Sequence, residues 1–377
     1  MEKNSMTMGD FMEAVKEHLF DNHPGMADTH EVEAREVMKN NSTLLHGITI
    51  REEGERVAPT IYLESFFDEF KNGGTLAEIA DRVIEAYEQH KAPKNISVDF
   101  FSNFEQAKDR LAMKIVNADK NAKLLSEVPH FKFGDLAAIF QVQVDSNEFG
   151  NAVITVRDEH MKMWGVSTDT LMENARANME EKQPVRIQSM IEVLNEMMGY
   201  VPEEMTASDN GMMYVMTNET KINGAASMIL TDKLDEFAQD RGTNVFILPS
   251  SIHEILLIPD NGTIGIPELE AMVKDVNATQ VAPDEVLSDN VYFYDKDARN
   301  IYIAATNEPC VLESDGKDFS KSDKDRKAEK PKASDKEKAP EKAGSIKEKL
   351  AEGKAKAASA PEMAKDAVSK VKGREIE

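Results

Sequence analysis

The chain has 377 residues, with 45 Lys and Arg against 69 Asp and Glu, a formal net charge of −24 and 41% hydrophobic residues. That length holds two ordinary domains or one large domain with a tail, and the apolar fraction, below the usual range, implies that part of the chain does not fold. Residues 314–377 carry 18 Lys and Arg against 14 Asp and Glu, leaving 27 against 55 in the body, so a body at −28 precedes a tail at +4; such a body repels nucleic-acid phosphates and anionic membrane surfaces, and the single cysteine, Cys310, excludes an intramolecular disulfide.

The N-terminus, Met1 to Asp10, lacks the basic region and apolar stretch of a signal peptide. No window approaches the roughly 20 apolar residues needed to span a bilayer, and with one cysteine the chain reads as cytoplasmic. Phe11, Met12, Val15 and Leu19 predict a first helix, opened by Thr7 or Asp10 and broken near Pro24. Its apolar stripe calls for an antiparallel sheet of three strands, 32–38, 44–51 and 57–63. The turn 52–55 contains Gly54, and Pro59 places the third strand at an edge or bulge. Helices at 64–71 and 75–90 follow, the second opened by a Thr75/Glu78 capping box. Residues 1–91 thus read as an α+β lobe, with a joint at Ala92-Pro93-Lys94-Asn95.

Beyond the joint, Phe104, Ala107, Leu111 and Ile115 predict a helix, followed by strands at 124–133, 137–144 and 152–157 with a hairpin loop at 145–150. Phe140, Val142 and Val144 alternate onto one face. Helices at 158–164 and 168–179 cover that sheet, and Pro184 stops the second. Residues 185–190 fit strand or helix, and Ile191, Leu194, Met197 and Met198 predict a helix ending at Gly199. A strand at 212–217 leads into a helix through Leu230, Leu234, Phe237 and Ala238, capped by Thr231 or Asp232 and closed by Gly242. A strand at 244–248, a corner at Pro249-Ser250-Ser251 and a strand at 254–258 complete this unit. A helix at 267–276 and a final hairpin, 291–294 with 301–304, bring the folded part to its end near Val311. The expected fold class is α+β: antiparallel sheets covered by helices in a main domain, 92–312, followed by a tail, 313–377. The tail is Lys, Ala and Glu with too few large apolar residues to offset chain entropy, so it reads as disordered. Two patches, Ile346 with Leu350 and Met363 with Ala367, Val368 and Val371, would each share one side of a helix formed on a partner.

Asn-Gly-Ala-Ala-Ser-Met at 223–228 and Ile-Leu-Pro-Ser-Ser-Ile-His-Glu at 247–254 resemble a bacterial family catalogued as a domain of unknown function. Leu-His-Gly-Ile-Thr-Ile at 45–50 and Ala-Pro-Thr-Ile-Tyr-Leu at 58–63 resemble its N-terminal signature. The resemblance covers most of the first 310 residues and implies an intracellular bacterial or mobile-element protein. The family's activity is unassigned, so it implies no functional residue. In element order, residues 130–260 also resemble a second uncharacterised bacterial family.

Ser250, Ser251, His253 and Glu254 are the candidate contacts, because they place hydroxyl, imidazole and carboxylate within five residues, the groups a nucleophile and its base require. On an extended segment Ser251 and His253 share a face while Glu254 points away, and catalytic partners usually meet from separate elements. The plainer reading is a corner whose serines satisfy backbone groups. The eight histidines are dispersed, without His-x-x-x-His, a Cys pair or a calcium loop, and Asp232, Asp235 and Glu236 fit a solvated helix face better than a cation site. Asn72-Gly73-Gly74 lacks the Lys-Ser/Thr of a phosphate loop. Cys310 reads as an inert strand-end residue. Methionines 190, 197, 198, 212, 213, 216 and 228 gather in one region and fit core filling or an adaptable groove. No catalytic residue, cofactor or metal is assigned. The sequence points to a binding or protein-interaction module whose protein partner docks on the body or tail, with no nucleic acid held by the body and no membrane. A hydrolase-like enzyme with its pocket at Ser250 to Glu254 is the alternative, and tail-mediated nucleic-acid binding a third reading.

Overall fold

The computed structural model describes residues 6–55, 58–91, 98–147, 150–200, 213–320 and 374–376. The joint at 92–95 and the two apolar tail patches lie outside them. The helix Met8–Asn22 opens with the Thr7/Asp10 capping box and buries Phe11, Met12, Val15 and Leu19. It packs on a three-stranded antiparallel sheet of β1 (His30–Met38), β2 (Leu44–Glu52) and β3 (Thr60–Tyr62), in that order. The last strand lies at the edge, where Pro59 has no ladder donor to lose. Helices Glu64–Lys71 and Leu76–His90 close this lobe, the second with the expected Thr75/Glu78 box. Its apolar cluster runs from Phe11 to Tyr87 and takes in no residue from the rest of the chain.

The second sheet departs from expectation at its centre. Phe104–Ala107 is a single helical turn, and Leu111–Asn117 is not a continuation of it but a strand, β4. Leu111, Met113 and Ile115 enter one buried cluster while Val116 enters another on the opposite face. A strand covered on both sides shows no polar alternation, and its apolar run mimics a helical stripe. Likewise Ala122–Leu125 is a short helix, so the next strand, β5, covers only His130–Phe133. β6 (Leu136–Asn147) runs on into the expected hairpin loop, and β7 (Gly150–Thr155) returns antiparallel to it. β6 is long enough to pair β4 along one edge and both β5 and β7 along the other.

The third sheet has seven strands. From one edge it begins with β8 (Val185–Ser189) and β9 (Tyr214–Asn218). β10 (Val245–Leu248) and β11 (Ile255–Pro259) form the hairpin around the Ser250–Ser251 corner. β12 (Tyr292–Asp295) and β13 (Asn300–Ile303) form the last hairpin, with β14 (Glu308–Pro309) beyond it. The helix Thr231–Arg241 ends at left-handed Gly242 as expected, but neither Thr231 nor Asp232 caps it: its first residue follows Leu230, the end of a 3-10 turn, and no side-chain cap bond forms. The inner faces of the second and third sheets share one core with helices Asp158–Trp164, Thr168–Lys182 and Thr231–Arg241. Helix Ile266–Thr279 covers the other face of the third sheet. Packing does not stop near Val311. β15 (Glu313–Ser314) pairs with β5, and Asp315 accepts from Thr168 Oγ1 at 2.7 Å while Lys317 Nζ reaches Asp158 at 2.8 Å and Val128 O at 2.9 Å. Half-buried Asp315 and Lys317 thus tie down a stretch that reads as tail by composition.

The two lobes meet at Asn40-Asn41-Ser42. Asn41 adopts φ 60°, ψ 26°, the left-handed conformation that Asn tolerates better than most residues. Its amide nitrogen Nδ2 donates to Pro283 O at 2.9 Å and Val286 O at 2.6 Å, and it exchanges two bonds with Asn121 at 2.9 and 3.0 Å. Asn40 Nδ2 donates to Asp284 O at 2.8 Å, and Ser42 Oγ to Lys120 O at 2.7 Å. Removing the Asn41 side chain strands Asn121, Pro283 and Val286 on the opposite lobe. Asn41→Ala is expected to lower unfolding free energy by about 2–5 kcal/mol, combining the unpaired groups with the cost of alanine at positive φ. Asn41→Gly should lose about 1 kcal/mol less, because glycine adopts that φ freely. Urea titrations of both variants measure the difference, and two wild-type curves would remove the junction from the account.

Candidate functional site

The corner after β10 does not stand alone. Leu287 and Ser288 donate their N–H groups to Ser250 O and Pro249 O, and Ile252 donates to Glu285 O. Ser251 forms a bridge with Val286. The corner is therefore zipped to the loop 283–288, which Asn41 holds from the other lobe and Asn117 holds from β4 through Leu287 O at 3.0 Å. Ser288 Oγ and the Tyr292 hydroxyl both donate to Asp135, fixing the loop to the turn between β5 and β6.

On the other side, the corner packs on the stretch before helix Thr231–Arg241. Thr217 Oγ1 donates to His253 O at 2.8 Å and Ala225 N–H to Ile252 O at 3.2 Å. Gly224 sits in the angle between them. A Cβ there would lie 2.0 Å from Thr217 Oγ1, 2.5 Å from His253 O and 2.8 Å from Asn218 N, so only glycine fits. Asn223 just before it is left-handed at φ 51°.

A cavity of about 130 Å³ lies where these pieces meet. The first lobe contributes Lys39, Asn40, Leu45 and Tyr62. The second sheet contributes Lys114, Gln141, Gln143 and Val153, and the connections beside the third sheet contribute Gln183, Asn223 and His253. Asp284 and Glu285 line it from the loop, and Ala112, Met113, Thr220, Ile222 and Ile252 complete the wall. Gln141 is almost wholly buried; its Oε1 accepts from Asn223 Nδ2 at 3.2 Å. Lys114 is only 8% exposed, and Lys39 Nζ lies 5.1 Å over the Tyr62 ring. Asn40 Oδ1 is buried without a donor.

Of the four residues singled out in the sequence, His253 alone reaches this cavity. Its Nδ1 accepts the Asn223 N–H at 3.3 Å, and its Nε2 lies 3.7 Å from Glu285 Oε1. Ser251 is buried with its Oγ accepting from His253 N–H at 3.1 Å, the corner role that the plainer reading assigned. Ser250 bonds through its carbonyl. Glu254 takes no place in the cavity wall, and burial raises its carboxyl above the ordinary 4.5, an effect that nearby His253 and Lys221 only partly offset. The structure brings Asn223, Gln141 and Glu285 to His253 from three separate segments, and none of these was a sequence candidate. The one local signal was the polar alternation Gln141, Gln143 along β6 opposite an apolar face.

The other candidates disperse. Asp235 accepts from the Tyr294 hydroxyl at 2.8 Å and from Arg299 at 2.6 Å, which consumes its charge, and among the described residues no group of three His, Cys, Asp or Glu is placed to hold a metal. Met216 and Met228 fill the shared core while Met197 and Met198 stand half exposed, so the methionines form no single groove; Met212 lies outside the described residues. The Cys310 thiol is buried and pushed up to about 12, chiefly by burial and then by Asp135 and Glu308, which makes it a poor nucleophile. Among the described residues no helix is long and apolar enough to cross a membrane.

Two outcomes test this arrangement. Gly224→Ala should cost more than about 3 kcal/mol, since backbone atoms within 3 Å cannot move away cheaply; an unchanged thermal midpoint would mean that the corner is loose. For Glu254, a folded value above the unfolded one means that its stabilising contribution is complete below pH 4.5 and is lost as pH rises through the folded value. Glu254→Gln should therefore flatten the decline in unfolding free energy from pH 4.5 to neutrality, and parallel pH profiles in denaturant titrations would refute the burial of that carboxylate.

No curated protein and no solved structure matches the chain. Residues 8–296 match a family model described as a family of unknown function (DUF5688), as the sequence resemblance implied, and the chain belongs to that family.

Proposed function

We propose that this protein is a cytoplasmic binding module that holds a polar partner in the cleft between its lobes and carries out no catalysis on it. The observation that supports this reading most is the cleft's chemistry. Side-chain amides of Asn40, Gln141, Gln143, Gln183 and Asn223 converge with charges of both signs. Amides offer donor and acceptor together, so such a wall recognises polar groups of mixed character. The lobes fold as separate domains in this reading, with the tail available as a docking arm.

The alternative, a hydrolase-like enzyme, draws on His253 facing Glu285 within the cleft. Its difficulty is the imidazole itself. With Nδ1 accepting a backbone N–H, Nε2 carries the proton, and neither nitrogen has a lone pair free to act as base. Ser251 is buried and engaged by backbone, so its hydroxyl is not poised to attack.

The test is affinity purification from the native host with the full chain, with Gln143→Arg, whose longer side chain fills the cleft, and with a chain ending at Ser320. A partner recovered with the full and shortened chains and depleted about tenfold with Gln143→Arg, equivalent to about 1.4 kcal/mol of binding, is the expected result. Equal recovery with Gln143→Arg removes the cleft from the reading, and loss on shortening moves the docking site to the tail.

A further inference from the structure

An open strand edge presents N–H and C=O groups that another strand will pair with unless something covers them, and β7 has such an edge on the side away from β6. Its outward groups can be assigned. Val156 donates its N–H to Phe140 O on the β6 side, and along an antiparallel strand alternate residues bond to the same neighbour. Ile154 therefore faces β6, while the backbone groups of Val153 and Thr155 turn outward. Along that outer edge lies β16 (Arg374–Ile376), in parallel register: Arg374 opposite Ala152, Glu375 opposite Val153, Ile376 opposite Ile154. Val153 is also a wall residue of the interlobe cleft, so this edge forms part of the cleft's rim.

We propose that the outer edge of β7 is a strand-addition site whose occupant is the chain's own C-terminal segment, acting in cis as a latch along the rim of the cleft. Three residues of ladder are too few to hold two separate molecules together, but tethering makes the second contact intramolecular and raises its effective concentration. The tether starts after Phe319, which donates its N–H to Val166 O, beyond the end of β7 at Thr155, while Asp318 bridges Ser167. Residues 321–373 make the connection, a length that extends well over about 100 Å at about 3.3–3.6 Å per residue. Charge acts in the same direction, since a tail at +4 is drawn to a body at −28. The proposal is independent of what the cleft binds.

Neighbouring strands lie about 4.8 Å apart, within disulfide reach for register partners. In the full chain, Val153→Cys combined with Glu375→Cys should oxidise to a monomer with an internal disulfide at least about tenfold faster than Val153→Cys combined with Ala360→Cys, an out-of-register control on the same tether. A disulfide-linked dimer would assign the edge to a second copy, and rates equal to the control would mean that no register exists; either overturns the proposal. A second measurement needs no cysteine. In a parallel ladder Val153 bonds to the residues flanking its partner, so Ile376 donates its N–H to Val153 O. Ile376→Pro should speed hydrogen exchange at the Val153 amide by about tenfold or more while Ile154, bonded to β6, keeps its protection. Unchanged exchange at Val153 would overturn the latch.

Discussion

A short polar turn, Asn40-Asn41-Ser42, hydrogen-bonds the two halves of this protein together, with the Asn41 side chain at its centre. Asn41 sits on a tight left-handed turn between the first two strands and places its carboxamide into the loop 283–288 and against Asn121. A primary amide can do this because it donates and accepts at once. Neither lobe has its apolar cluster continued in the other, so polar contacts of this kind, more than shared burial, set the lobes' relative position. The cleft exists because that position leaves space between β2, β4, β6 and the corner.

From Asn41 a continuous run of hydrogen bonds leads to the corner. The loop pairs with Ser250 to Ile252, the corner accepts from Thr217 and Ala225, and Asn223 closes the circuit by donating its backbone N–H to His253 and its side-chain amide to Gln141. Space at Gly224 is so restricted that the circuit has one arrangement. A histidine whose ring is fixed on one side by a backbone donor and faces a carboxylate on the other is held for orientation.

Local signals in the sequence located most of the elements. The helix start at Thr7, the capping box at Thr75, the glycine stops at Gly199 and Gly242, and the edge position of the strand after Pro59, one of the two places expected for it, all appear. Each is a short-range effect, complete within a turn of helix or a pair of strands. The errors lie where burial on two faces erased the periodic signal. Leu111 to Asn117 reads as a helical stripe because Lys114, the one charged residue that would have marked a solvent face, is itself buried beside the cleft. The stretch from Glu313 to Ser320 reads as tail because Asp315 and Lys317 are charged, yet those charges bond to Thr168, Asp158 and Val128.

The candidate site divides along the same line. Sequence alone determined the α+β class, the order of most elements, the acidic body and the corner carrying His253, since each follows from residue type and near-neighbour spacing. Only the tertiary structure decided which groups surround that histidine. Gln141, Asn223 and Glu285 lie far from one another along the chain and meet through a strand, a left-handed turn and a loop, none of which encodes the others' position. Backbone hydrogen bonding between distant segments brings them together, and that long-range pairing leaves no periodic trace in the residues that take part.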